Sequence, residues 1–259
     1  MSPEMTPHKV LYEVRDGVAR ITLNRPDKRN ALDGELISQL KSTMTASAGD
    51  PQCRVVVLAG AGADFCSGAD LAGLEKTAQA SVLDNMADAR STAELFLRMR
   101  NHQRPIIAAV QGRALAGGCG IATACDIILA AESAQFGYPE VNIGFVPAMV
   151  MAILRRSVSE KAAFELVVTG ETVSAARAQE LGLVHRIYPD DLFIASVNAY
   201  ATKLASKSAS AIMLSKRLLY NMDSLSFQAA LEAGVEINAI ARMTEDCRRG
   251  VEKFLNKKT

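Results

Sequence analysis

The chain has 259 residues, 49% of them hydrophobic and 22% charged, and its 29 Lys and Arg nearly balance its 28 Asp and Glu. This composition is enough for a large core without disulfides or structural metal, so a soluble α/β domain is expected. A net charge of +1 gives no basis for binding nucleic acid or an anionic membrane. The five cysteines have neither CxxC nor Cys/His ligand spacing, which predicts reduced thiols and no bound metal.

Neither end of the chain carries a targeting signal that we can identify. The amino terminus lacks a basic start followed by an apolar stretch, and every window of about eighteen residues contains charge. The final residues, NKKT, match no address that a sorting receptor reads. We therefore expect a cytoplasmic protein with no membrane partner.

The first half of the chain predicts a hairpin followed by strand-to-helix units. Two runs of β-forming residues within 10–23 flank Asp16-Gly17, a dipeptide suited to a tight reversal. Asp33 is placed to cap the helix that follows. Continuous apolar runs at 55–59 and 106–110 are typical of strands buried on both faces, and each leads into a glycine-rich loop.

The second half of the chain predicts mainly helices. Short strands are expected at 126–130 and 134–137, and one late strand at 184–188. From Pro147 to Phe254 the remaining sequence has the spacing of amphipathic helices. A helical tail after an α/β core often mediates subunit contacts, so we expect a homo-oligomer.

The two glycine-rich loops are candidates for binding an anion through backbone N–H groups. In the first loop, residues 60–71, Ala69 could present its amide to a carbonyl oxygen, although Asp70 capping a short helix explains the pattern equally simply. In the second, residues 114–120, Gly117 precedes a helix, so its amide and the helix dipole would act together. Close packing of strand on helix is the alternative. Neither loop matches a P-loop or a dinucleotide-binding pattern.

Four motifs in order resemble the crotonase (enoyl-CoA hydratase/isomerase) superfamily: SGADL at 67–71, AVQGRALAGGCG at 109–120, ACDIILA at 124–130, and AQFGYPEVNIGFVP at 134–147. The likeness extends to NRPDKRNAL near the start, TGETVSAARAQELGLVHRI in the middle and EDCRRGVEKFLNKK at the end. It therefore covers essentially the whole chain.

The resemblance implies an α/β fold, a crotonase-like spiral of ββα units with a helical C-terminal region. We divide the chain into a spiral core, 1–195, and a helical trimerisation segment, 196–259. The resemblance also implies an acyl-CoA thioester substrate in fatty acid metabolism and a trimer or hexamer of identical subunits. No metal or cofactor is implied beyond the coenzyme A of the substrate itself.

The resemblance assigns roles to individual residues. The amides of Ala69 and Gly117 would form an oxyanion hole, and Glu140 would be the acid/base. Lys257 would reach the cofactor of a neighbouring subunit. The residues assigned to binding the substrate and its coenzyme A are Lys28, Arg29, Ala31, Ser67, Gly68, Asp70, Leu71, Gly118 and Gly120.

The sequence departs from the hydratase pattern at Gly120, where the resembling hydratases carry a first glutamate. A single carboxylate suffices to move a proton between two carbons, which favours double-bond isomerisation over hydration. Hydration stays open, because Asp64, Asp70 or Glu75 could supply a second acid. Dienoyl-CoA isomerisation is disfavoured, since its further acid would fall on Ala148.

Two other classes of function are alternatives to an enzyme. The glycine at position 120 is also compatible with a catalytically weak paralogue that binds acyl-CoA or serves as an assembly partner. RNA binding, known in one branch of the superfamily, is disfavoured by the neutral charge balance.

Overall fold

The computed structural model describes residues 8–256, apart from the side chains of Leu71, Ala72, Leu74 and Lys76. Within this part of the chain the strands are β1 (Val10–Arg15), β2 (Val18–Leu23), β3 (Val55–Gly60), β4 (Ile106–Val110), β5 (Arg113–Leu115), β6 (Ile127–Ala131), β7 (Gln135–Gly137), β8 (Thr172–Ser174) and β9 (Arg186–Tyr188).

The helices of the same part are α1 (Gly34–Gly49), α2 (Leu71–Gln79), α3 (Val82–Arg100), α4 (Gly117–Ala124), α5 (Ala148–Ser157), α6 (Glu160–Thr169), α7 (Ala175–Glu180), α8 (Phe193–Ala205), α9 (Ala209–Asn221), α10 (Phe227–Met243) and α11 (Glu245–Asn256). A 3₁₀ turn at Pro139–Ile143 follows β7.

The main sheet has six strands in the order β1-β2-β3-β4-β6-β9, and all neighbours except β1 and β2 run parallel. Asp16 and Gly17 adopt positive φ of 52° and 81°, as a tight hairpin turn requires, so the predicted opening hairpin is confirmed. Every residue of β3 and β4 is buried, which accounts for their unbroken apolar sequence.

A second sheet of three short strands has the order β5-β7-β8. The sequence predicted β7 but neither β5 nor β8. Each of these two strands has three residues, too few to show a period, and both form because β7 lies between them. Two of the residues predicted to be catalytic, Gly117 and Glu140, follow β5 and β7 of this small sheet.

Helix α8 packs against the main sheet, and its Val197 and Ala201 are buried in the core. Residue 195 lies inside this helix, so the predicted division at 195/196 falls within one element, and the division itself stays a prediction. Helix α9 is tied to the sheet by Lys216, whose Nζ lies 2.7 Å from Asp126 Oδ2, and by Tyr220, whose hydroxyl donates to Asp126 Oδ1 at 2.6 Å.

The last two helices leave much apolar surface uncovered. Neither α10 nor α11 contains a buried residue. The exposed apolar side chains on them include Phe227, Leu231, Val235, Met243, Val251, Phe254 and Leu255. No described helix is long and apolar enough to cross a lipid bilayer. The cytoplasmic location stays a prediction of the sequence.

Candidate active site

Three parallel backbone segments lie side by side and end at one edge of the small sheet. Strand β5 pairs with β7, with Leu115 opposite Gly137. On the other side of β5, Cys66 forms a parallel bridge with Ala114. The chain runs on from these three segments into Ala69, Gly117 and Glu140 within three residues in each case. Because the carboxyl ends of parallel segments meet at one edge, this pairing places the three predicted catalytic residues just beyond that edge.

The N–H of Ala69 is a free donor because of how its neighbours are bonded. Ala69 forms a parallel bridge with Leu32: the Leu32 N–H donates to Gly68 O at 2.7 Å, and the Asp70 N–H donates to Leu32 O at 2.9 Å. The flanking groups are therefore used by the bridge, and the N–H of Ala69 points to its other side. Within residues 8–256 no protein acceptor takes it.

The N–H of Gly117 is free because this residue begins α4, where the first amides have no partner in the helix. The preceding residue, Ala116, has φ 49° and ψ −127°, a conformation that favours glycine. Ala116 N–H donates to Gly137 O at 2.9 Å, which holds this strained turn against β7. The strain redirects the chain so that the helix begins with its N-terminus at the site.

The two loops touch so closely that side chains are excluded between them. A Cβ on Gly68 would lie 2.8 Å from Ala116 Cβ, and a Cβ on Gly118 would lie 2.3 Å from Cys66 O. Gly68 also has a φ of 97°. The lack of a side chain at these two predicted site residues allows the two backbones to approach each other. Any side chain at either position would push the loops apart.

Glu140 is the second residue of the 3₁₀ turn, and its backbone O accepts from the Phe145 N–H at 2.9 Å. Its side chain is only partly exposed, and its Oε2 is buried without a hydrogen-bond partner in the described part of the chain. Burial raises the pKa of Glu140, and its own backbone N–H only partly offsets this shift. A carboxyl with a raised pKa is a better proton acceptor than an ordinary glutamate and can return the proton it takes.

Two of the acids considered as a second carboxylate are held by arginines. Asp64 is buried, and its Oδ1 and Oδ2 accept from Arg113 Nε at 2.9 Å and Arg113 Nη2 at 3.1 Å. Burial opposes ionisation of Asp64, but the hydrogen bonds and charge of Arg113 outweigh it and keep the pKa below its usual value. Asp70 lies 2.7 Å from Arg25 Nη2. Glu75, the third of these acids, is exposed on α2.

The space beside Gly120 is filled by apolar side chains. A Cβ on Gly120 would lie 2.5 Å from Val150 Cγ2 and 3.3 Å from Phe96 Cζ, and both neighbours are buried. A glutamate at this position would require the Val150 side chain, or the helix that carries it, to shift. The glycine is thus part of a packed apolar wall.

Three of the residues assigned to binding the substrate and its coenzyme A lie on the loop before α1. Lys28 and Arg29 are exposed, and Ala31 is buried beside them. Ser67 N–H donates to Arg29 O at 3.0 Å, so this loop is joined to the first glycine loop. Leu71 begins α2, and nothing is described of its side chain. Lys257 lies outside the described residues.

Asn30 is a residue of the site region that the sequence did not single out. It is fully buried with φ 56°. Its Oδ1 accepts from the Arg25 N–H at 2.9 Å, and its Nδ2 donates to Ala61 O and Asp64 O at 2.9 and 2.8 Å. Asn30 therefore joins the loop before α1 to the first glycine loop. An asparagine tolerates positive φ, but nothing in one sequence shows which asparagine does so.

Within residues 8–256, no group of three or more His, Cys, Asp and Glu side chains is arranged to hold a metal ion.

Comparison with known proteins agrees with this architecture. Residues 13–259 match the family model described as enoyl-CoA hydratase/isomerase. The 2,3-dehydroadipyl-CoA hydratase of Escherichia coli (strain K12) is 36% identical over 243 residues, 93% of each chain. The crystal structure of an enoyl-CoA hydratase from Mycobacterium smegmatis has a TM-score of 0.92 at 32% identity, over 96% of this chain and 97% of that one.

Human enoyl coenzyme A hydratase domain-containing protein 3 has a TM-score of 0.91 at 28% identity, over 96% of this chain and 98% of that one. These likenesses define a crotonase-type α/β fold with a helical C-terminal region. The chain belongs to the enoyl-CoA hydratase/isomerase family, which confirms the resemblance seen in its motifs. It is an acyl-CoA enzyme of that family.

Replacing Ala116 with glycine tests whether the turn before α4 is strained. We expect Ala116→Gly to raise the free energy of unfolding by about 1 kcal/mol, because relief of the backbone strain exceeds the entropic cost of a glycine. The same change at Ala152, exposed on α5, should lower it by about 1 kcal/mol. Urea denaturation of both variants measures the difference, and a loss of stability in both would contradict the assignment of strain.

Replacing Glu140 with glutamine tests its burial as a charged group. The folded-state pKa of Glu140 is raised above its unfolded value of about 4.3. Ionisation of this carboxyl therefore disfavours the folded state as pH rises above that value. The Tm of Glu140→Gln relative to wild type should therefore increase as pH rises above about 4.3 and level off once Glu140 is ionised in the folded state. The exposed Glu132 provides the control variant Glu132→Gln, which makes the same chemical change away from Glu140. Thermal melts at several pH values decide this.

Proposed function

We propose that the protein stabilises the enolate of an enoyl-CoA thioester and moves its proton with one carboxylate. The N–H groups of Ala69 and Gly117 receive the thioester oxygen, and Glu140 exchanges a proton with the acyl carbon. The observation that carries this proposal is the unpartnered, buried Oε2 of Glu140, on a turn that shares a sheet edge with the two free amides.

The chemistry matches these groups. Removing a proton from the α-carbon of a thioester places negative charge on the carbonyl oxygen. Two fixed amides stabilise that charge without reorganisation of solvent, and loss of one such donor typically raises the barrier by about 2.7–4 kcal/mol. The helix that begins at Gly117 adds its positive end at the same place. A raised pKa suits Glu140 to take the proton and return it.

Double-bond isomerisation from the 3-position to the 2-position is the reaction we favour. It needs one base, which removes a proton at the α-carbon and returns one at the γ-carbon. Hydration also needs a held water molecule and a second group to activate it. The apolar packing of Val150 and Phe96 against Gly120, and the pairing of Asp64 and Asp70 with arginines, both support the single-carboxylate reaction.

Hydration is the second candidate, and the names of relatives favour it. The Escherichia coli relative is named for hydration of 2,3-dehydroadipyl-CoA. In a hydratase with this site, Glu140 and backbone groups would together hold the water. A paralogue that only binds acyl-CoA is the alternative to both reactions.

Incubating the protein with 2-hexenoyl-CoA and with 3-hexenoyl-CoA in deuterated water separates the candidates. Isomerisation converts the 3-enoyl to the 2-enoyl thioester with at most exchange of hydrogen for deuterium, whereas hydration adds the elements of water to the 2-enoyl substrate. Chromatography with mass analysis distinguishes these products. We expect isomerisation, and turnover of neither substrate would support the binding paralogue.

Glu140→Gln should lower turnover by at least about 100-fold while leaving thioester binding in place, because the amide cannot accept the proton. Glu132→Gln, a change of the same kind at an exposed site, should keep the wild-type rate. Steady-state assays of both variants, with binding of hexanoyl-CoA measured by calorimetry, test the assignment. Wild-type turnover in Glu140→Gln would refute it.

We also propose that α10 and α11 form the contact between subunits of a trimer or hexamer. Their exposed side chains, such as Leu231 and Val235, need cover from a second copy. The double change Leu231→Asp and Val235→Asp should lower the mass measured by sedimentation velocity to that of a monomer. Leu11→Asp, on the exposed face of an edge strand, should leave the assembly intact. A monomeric wild type would overturn this proposal.

A further inference from the structure

Tyr138 is a fully buried tyrosine two residues before Glu140. Its hydroxyl lies 2.7 Å from Thr123 Oγ1. The Thr123 hydroxyl donates its hydrogen to Cys119 O at 2.8 Å. A hydroxyl has one hydrogen to donate, so in the bond between the two side chains Tyr138 is the donor and Thr123 the acceptor. Burial raises the pKa of Tyr138 well above its usual range, which keeps this donor protonated.

This hydrogen bond joins the two elements that carry the proposed chemistry. Thr123 lies on α4, the helix that begins with the Gly117 amide. Tyr138 is followed directly by Pro139, the first residue of the turn that bears Glu140. A short helix is rigid, and proline fixes one backbone angle. The hydrogen bond is therefore connected to the Gly117 amide and to Glu140 through backbone with little conformational freedom.

A second connection between the same elements lies nearer the sheet. Ala116 N–H donates to Gly137 O at 2.9 Å, which fixes the start of α4 to the end of β7. The far end of the turn is held separately, since Asn142 Nδ2 donates to Gly170 O at 3.3 Å. The bond from Tyr138 to Thr123, further along α4, is the side-chain contact that links the start of the turn to this helix.

We propose that Tyr138 is a positioning residue that, through Thr123, holds the Glu140 carboxylate at its working distance from the Gly117 amide. This inference rests on the proposed function of Glu140 and Gly117. It goes beyond that function by assigning a role to a side chain that does not touch the substrate.

The alternative is that the hydroxyl simply satisfies a buried polar group. A pair of apolar side chains of the same shape, phenylalanine and valine, would fill the space with nearly unchanged stability. A purely structural role therefore predicts that the pair of changes leaves turnover as it is. A positioning role predicts slower turnover, because a small displacement of a catalytic group is sufficient to reduce the rate by up to about 100-fold.

The test compares Tyr138→Phe, Thr123→Val and the double variant with Thr123→Ser, which keeps the hydroxyl. We expect kcat for 3-hexenoyl-CoA, or for the 2-enoyl thioester if that is the substrate, to fall about tenfold in the first three variants. KM should change less than twofold, and Thr123→Ser should retain kcat. The double variant should be no slower than either single one, since both remove the same bond.

Tyr220→Phe is the matched control, because its hydroxyl makes a similar bond to Asp126 at a distance from the site. It should keep the wild-type kcat. A kcat within twofold of wild type in Tyr138→Phe, or equal losses in Tyr138→Phe and Tyr220→Phe, would overturn the inference. Glu140→Gln is measured alongside: if it is inactive while Tyr138→Phe is normal, only the positioning role fails, and if it is fully active, the proposed function fails.

Discussion

The arrangement of this site depends on the parallel register of three short backbone segments. Cys66 forms a bridge with Ala114, and Leu115 pairs with Gly137, so three separate segments of the chain end at one edge. Each segment then delivers one functional group within three residues. A shift of register by one residue would turn every side chain of a segment to the opposite face of the sheet. The proposed chemistry therefore depends on this register.

Close backbone contact follows from that register and explains the small residues of both loops. Gly68 and Gly118 have no room for a side chain, and Ala116 retains one at the expense of a strained conformation. The same proximity allows backbone amides, rather than side chains, to serve as donors. Such donors are held by the secondary structure itself and need no rearrangement when charge develops on a bound oxygen.

The electrostatics of the site separate one acid from the others. Arg113 and Arg25 form ion pairs with Asp64 and Asp70, so these carboxylates hold the first loop in place. Among the described residues, no such partner contacts the buried Oε2 of Glu140, and desolvation of this carboxyl favours its protonated form. Burial without a cation is therefore what distinguishes the proposed acid/base from the neighbouring structural acids.

The sequence by itself determined the hairpin, the buried strands, the mainly helical second half and the motifs around Ala69, Gly117 and Glu140, because these depend on local pattern or short spacing. It did not reveal the strands β5 and β8, the burial of Asn30, or that Val150 fills the space beside Gly120. Those features arise from contacts between segments far apart in the chain, which no local pattern records. Only the tertiary structure decided which loops meet, which acids are paired, and which carboxylate stays without a partner.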